Sequence, residues 1–177
     1  MKIKYLIPVF ILATLATFSS CDLLDKADDI SFDATLPLDF SIDETAVNPG
    51  GMAYSDTKLL DATTNSEVAK YASKIKEFKV NKITYTISDV SDPSVTFTNG
   101  SLKVSSSGKT IATASSVSLS NTTETELTAD LAGFNELAAK LLDDKKELVL
   151  LNGNFSKTPI AFKVRFNFYV TITANAL

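Results

Sequence analysis

The chain has 177 residues, 45% of them hydrophobic and 21% charged, which is globular composition and neither disordered nor fibrous. Residues 1–20 hold Lys2 and Lys4 and no acid, so the remainder carries 17 − 2 = 15 basic residues against 21 acidic, a net charge of −6. That balance repels phosphate backbones and argues against a nucleic-acid partner, while the lack of any histidine removes the commonest general base and zinc ligand.

The chain opens with the positive flank of Lys2 and Lys4 and a thirteen-residue apolar run from Leu6 to Phe18. As a helix that run reaches only about 20 Å, short of a ~30 Å hydrocarbon core, and Pro8 interrupts it. A short apolar run, a basic flank and small residues at its end predict an export signal over 1–20. Phe18-Ser19-Ser20-Cys21 resembles a lipobox, with phenylalanine where leucine is usual. The resemblance implies a diacylglyceryl group on Cys21 and cleavage that leaves Cys21 as the first residue. The chain's single cysteine would then hold it to a membrane through acyl chains, each buried CH₂ contributing about 0.8 kcal/mol.

Asp22, Asp25, Lys26, Asp28 and Asp29 follow, and residues 21–29 are expected to form an acidic tether. Ser-Ser-Cys-Asp followed by acids resembles the outer-membrane lipoproteins of Bacteroidota, and that resemblance implies a cell-envelope location in which these charges act as an export signal. One domain is expected over 30–177.

Ile30, Phe32, Ala34, Leu36, Leu38, Phe40 and Ile42 are apolar and all at even positions, so period two predicts a long half-buried strand. Pro37 lacks a ladder donor and marks that strand as an edge or bulged one. Thr64 and Glu67 form a capping box before Val68, Tyr71, Ala72, Ile75 and Phe78, which predicts a helix over 64–78. Ile83, Tyr85 and Ile87 predict a strand. Asn99-Gly100 suits a type I′ hairpin turn that would set Phe97 opposite Leu102 and Val95 opposite Val104. A second turn at Ser107-Gly108 would set Val104 opposite Ile111, and Val117 and Leu119 predict a further strand. A helix with Leu131, Phe134, Leu137, Ala138, Leu141 and Leu142 on one stripe follows, in which Gly133 costs about 1 kcal/mol relative to alanine. In "LVLLNGNF", Asn152-Gly153 fits either a hairpin or an internal bulge. The last segment repeats the alternation, with Ile160, Phe162, Val164, Phe166, Phe168, Val170 and Ile172 on one face and Lys163, Arg165, Asn167, Thr171 and Thr173 on the other. Two such strands at opposite ends of the chain are expected to share one core.

The expected fold is mainly β: an antiparallel β-sandwich of about seven to nine strands with two covering α-helices. The order of elements over residues 80–172 is similar to the late-embryogenesis-abundant/WHy sandwich, a resemblance of pattern that transfers no site residue.

Few groups invite catalysis. With Cys21 committed to lipid no thiol nucleophile remains, and no phosphate-binding glycine loop is present. Ser73-Lys74-Ile75-Lys76 and Ser106-Ser107-Gly108-Lys109 match the Ser-x-x-Lys spacing of serine acyl-enzymes without the elements that support it. Asp143 and Asp144 sit beside Lys145 and Lys146 and read as a solvated helix end. No catalytic residue, metal or cofactor is expected. The chain is read as a non-catalytic envelope module with a protein or glycan partner; the alternative is a carrier of an apolar small molecule in a lipocalin-like barrel.

Overall fold

A computed structural model describes residues 28–176. The two alternating segments form strands β1 (Asp29–Asn48) and β9 (Thr158–Asn175), which pair antiparallel from Asp29↔Asn175 to Glu44↔Ile160. Side chains alternate across a strand, so this register sends Leu36, Phe40, Phe168 and Ile172 to one face, all fully buried. The ends of the domain therefore do share one core. Strand β3 (Ile75–Ser88) pairs with the other side of β9, and the short β6 (Thr125–Glu126) continues the sheet, in the order β1-β9-β3-β6. Pro37 lies on an edge strand, where its missing N–H breaks no ladder.

The second sheet contains β2 (Met52–Asp61), β8 (Lys146–Phe155), β4 (Thr96–Val104), β5 (Thr110–Ser118) and β7 (Thr128–Ala129), in the order β2-β8-β4-β5-β7. All pairings are antiparallel, and the two sheets enclose one apolar core, so the fold is a β-sandwich. Its edges are guarded. On β2, Asp56 and Lys58 share the face of buried Tyr54 and Leu60 and pair with each other at 3.4 Å, so charges on the inward face of an edge oppose a further strand. On β1, the Asn65 amide donates to the Thr35 carbonyl at 3.5 Å.

The helix expected over 64–78 is much shorter. Asn65, not Thr64, caps it by accepting from the N–H groups of Glu67 and Val68, and α1 spans only Ser66–Tyr71. Ile75 and Phe78 belong to β3, with Phe78 buried opposite Ile172. β9 is 18 residues long and presents backbone groups along its whole length. Pairing them outweighs a helix preference of a few tenths of a kcal/mol per residue.

Asn99-Gly100 forms no hairpin. β4 runs straight through it, Phe97 lies opposite Val117 and Phe155, and Leu102 lies opposite Ala112 and Leu151. Thr98 pairs with Asn154 and Ser101 with Asn152, so Asn99 and Gly100 together oppose the single Gly153. This is a β-bulge, and Asn99 takes the positive φ of 51° that a turn would also have needed. Asn152-Gly153 is correspondingly mid-strand in β8, facing its neighbour's bulge. The Phe97 ring lies over both glycines, and a Cβ on Gly153 would stand 2.2 Å from its Cζ.

The turn at Ser107-Gly108 is present, closed by Val104 N–H to the Lys109 carbonyl at 2.8 Å. The ladder slips by one residue between Leu102↔Ala112 and Lys103↔Thr110, so Ile111 does not oppose Val104. Val117 shares β5 with Ile111, and Leu119 follows directly after it, so no separate strand forms there.

Helix α2 (Leu131–Asp144) is where it was expected, with Phe134, Leu137 and Leu141 buried. Leu131 is the exception on the stripe, at 75% exposure in the first turn. Gly133 has a packing role: a Cβ there would stand 1.8 Å from the Thr110 carbonyl oxygen, so the helix rests directly on the β5 backbone. Asp130 caps the helix at Gly133 N–H, and Lys145 ends it in the left-handed conformation.

Candidate functional site

Alternation that buries one face of the β1-β9-β3-β6 sheet exposes the other as a polar surface. Across it, Asp33 lies opposite Thr171, Thr35 opposite Tyr169, and Asp39 opposite Arg165; on the far side of β9, Lys82 lies opposite Tyr169 and Thr84 opposite Asn167. The β3 register slips between Val80 and Lys82. Asn81 is the extra residue, so it and Lys82 are both exposed between buried Val80 and Ile83.

Tyr169 is the organising side chain. Its hydroxyl donates to Glu124 at 2.8 Å, and the same carboxylate oxygen accepts from Thr84 at 2.5 Å and from the Asn167 amide at 3.4 Å. These bonds, that of Thr84 first, hold Glu124 below the usual glutamate range, and the Glu124 carboxylate in turn raises the Tyr169 phenol. The Lys82 ammonium stands 4.6 Å from the Tyr169 ring centroid, a cation–π contact, and makes no ion pair among the described residues.

Beside the ring, the Asn81 amide donates to Thr171 Oγ1 at 2.8 Å, and that hydroxyl donates to Asp33 Oδ1 at 2.7 Å. Oδ1 of Asn81 and Oδ2 of Asp33 remain acceptors. Arg165 closes the row with a two-pronged pair to Asp39 at 2.7 and 2.9 Å, whose hydrogen bonding lowers the Asp39 carboxyl and raises the guanidinium. Between Asp33, Asn81, Lys82, Glu126 and Tyr169 the surface forms a cleft of about 440 Å³.

The core contains a second concavity of about 40 Å³, lined by rings that include Tyr54, Tyr85, Phe97, Phe155 and Phe166. It has room for one or two waters but offers them almost no polar partner. Among its lining groups, Tyr54 has its phenol raised well above the ordinary value, by burial first of all.

Of the residues singled out from sequence, Cys21, Asp22, Asp25 and Lys26 lie outside the described residues. The Asp28 carbonyl accepts from Ala176 N–H at 2.8 Å, and Asp29 is the first residue of β1, bound to the Lys76 ammonium at 2.7 Å. Ser73 and Ser106 are both exposed in turns, and Lys76 is engaged by Asp29. Asp143 and Asp144 are exposed at the end of α2. Among the described residues, no three His, Cys, Asp or Glu side chains are grouped to hold a metal ion, and no helix is long and apolar enough to cross a membrane.

Sequence reasoning missed Asn81, Lys82, Glu124 and Tyr169. One signal was available: Tyr169 is an aromatic residue in the polar half of an alternating strand.

No family model matches the chain, and no curated protein matches it. Solved structures similar to it include Desmodium yellow mottle tymovirus, at 12% identity over 84% of this chain and 89% of that one with a TM-score of 0.45. The decameric BFDV capsid protein is also similar, at 11% identity over 81% of this chain and 99% of that one with a TM-score of 0.47.

Proposed function

We propose that this protein is a lipid-anchored lipoprotein of the cell envelope, a non-catalytic binding or structural module held to the membrane through acyl chains on Cys21. The observation that carries the reading is Phe18-Ser19-Ser20-Cys21, a lipobox-like end to an apolar run too short to span a bilayer. Asp22, Asp25 and Lys26 then serve as tether and export signal, whereas Asp28 and Asp29, expected in the tether, belong to the domain: Asp29 opens β1 and Asp28 is bonded to Ala176. The fold is compatible with such an anchor. Asp28 and Ala176 are hydrogen-bonded, so the chain leaves the domain at the pole where its other end also lies. Six residues lie between Cys21 and Asp28, a reach of at most ~25 Å, whereas β9 alone, with 18 residues, extends ~60 Å from that pole.

The core supports a module over an apolar carrier. Pockets for small molecules run from ~300 to 1,000 Å³, and the apolar void here is about 40 Å³. Metabolic labelling with a fatty acid tests the anchor. Label is expected on the native protein and absent from Cys21→Ala. An unlabelled native protein, or a labelled variant, overturns the reading.

A further inference from the structure

We propose that the cleft around Tyr169 is a binding site for a neutral oligosaccharide. The proposal rests on the reading of the chain as an envelope binding module and names the ligand class of that module. Its volume of about 440 Å³ falls within the range of small-molecule clefts. Its walls interleave donors and acceptors: the Lys82 ammonium, held only over the Tyr169 ring and without an ion pair among the described residues, Oδ1 of Asn81, Oδ2 of Asp33, and the Glu126 carboxylate, which has no partner among those residues either. Paired carboxylate oxygens suit the adjacent hydroxyls of a sugar, and an ammonium suits a ring or hydroxyl oxygen. Tyr169 supplies a ring whose hydroxyl is already fixed by Glu124, so little freedom is lost when a sugar packs beside it. The site stands on paired strands, which hold such groups more rigidly than loops do.

Charge and hydrophobicity narrow the class. Asp33 and Glu126 in the walls, with Glu124 behind them at the Tyr169 hydroxyl, outweigh Lys82, so the cleft repels phosphate, sulfate and carboxylate ligands. A protein partner would be expected to seat an apolar centre on the domain. The exposed large hydrophobic residues among the described ones, Val47, Leu59, Leu131 and Leu148, all lie elsewhere.

The test is calorimetry on the full chain in micelles of a non-glycosidic detergent, with maltohexaose, cellohexaose and an α-mannan oligosaccharide as neutral probes. Dextran sulfate and oligolysine serve as charged ones. Binding of at least one neutral probe is expected, with no binding of dextran sulfate. Tyr169→Ala should weaken that binding at least about tenfold, equivalent to ~1.4 kcal/mol. Tyr169→Phe, which keeps the ring, should stay close to native, and Lys82→Met, which leaves the ring and the Glu124 network in place, should also weaken it. Silence from all three neutral probes overturns the proposal, as does binding indifferent to both Tyr169→Ala and Lys82→Met. Oligolysine binding with silent sugars would overturn it in favour of a basic protein partner. Cys21→Ala should bind sugar like the native chain, so the glycan proposal and the lipid anchor fail separately.

Discussion

Gly153→Ala offers a sharp test of how β4 and β8 pack against each other in the second sheet. By sequence alone the change is benign: alanine suits a strand interior better than glycine, and at compatible sites the swap stabilises by ~0.4–1 kcal/mol through the unfolded state. The structure predicts the opposite sign. The new Cβ would stand 2.2 Å from Phe97 Cζ and 2.5 Å from Cε1, where carbon contacts normally settle near 3.5–4.0 Å. The ring must move by more than an ångström, yet it is packed at 5.0 Å against Phe155 and 6.4 Å against Tyr54. Overpacking of this kind costs ~1–3 kcal/mol, and for a chain this size about 2–4 °C of Tm follows each kcal/mol, so a fall of roughly 2–12 °C is expected by circular dichroism. A double-mutant cycle makes the reasoning specific. Phe97→Ala alone should cost ~3–5 kcal/mol, and in that background Gly153→Ala should become neutral or slightly stabilising, because the obstructing ring is gone. An equal penalty for Gly153→Ala with and without Phe97 would refute the account.

Gly133→Ala should also destabilise, by about 1–3 kcal/mol in urea unfolding, although helix propensity alone favours it by ~1 kcal/mol; the new Cβ meets the Thr110 carbonyl at 1.8 Å. Asn65→Ala should cost ~1 kcal/mol through loss of the α1 cap, while Thr64→Ala should cost less than half that; equal costs would restore the capping box. For Glu124 the folded pKa is lowered by its bonds to Thr84, Tyr169 and Asn167. Its contribution is therefore present above the ordinary value of 4.5 and is lost as pH falls through the lowered one. The stability advantage of the native chain over Glu124→Gln should be constant at neutral pH and shrink in acid; an advantage that grows in acid would reverse the assigned sign.

The long alternating strands were the most legible part of the fold. Period two over 30–42 and 160–172 reports directly which side chains face the core, and the observed β1↔β9 register buries those faces together. Helix α2 was legible for the same reason, since its stripe is long enough for the 3.6-residue period to be unambiguous. The errors fell where a local signal serves two structures. Asn99-Gly100 asks only for positive φ, which a hairpin and a bulge both provide, and β8 on the other side of β4 decided for the bulge. Ile75 and Phe78 fit a helical stripe and equally a strand, and the unpaired flank of β9 decided for the strand. The polar cleft was not legible at all, because Asp33, Asn81, Glu126 and Tyr169 are separated along the chain by tens of residues.

By itself the sequence determined the β-rich class and which faces of the two terminal strands are apolar, since each is written in consecutive residues. Only the tertiary structure decided which strands are neighbours, why Gly133 and Gly153 must lack a side chain, and that Lys82, Glu124 and Tyr169 meet on one surface. The physical reason is common to all three. Hydrogen-bond ladders and close packing join segments far apart in the chain, and those partners, absent from any local window, choose among conformations that local preference leaves nearly equal in energy.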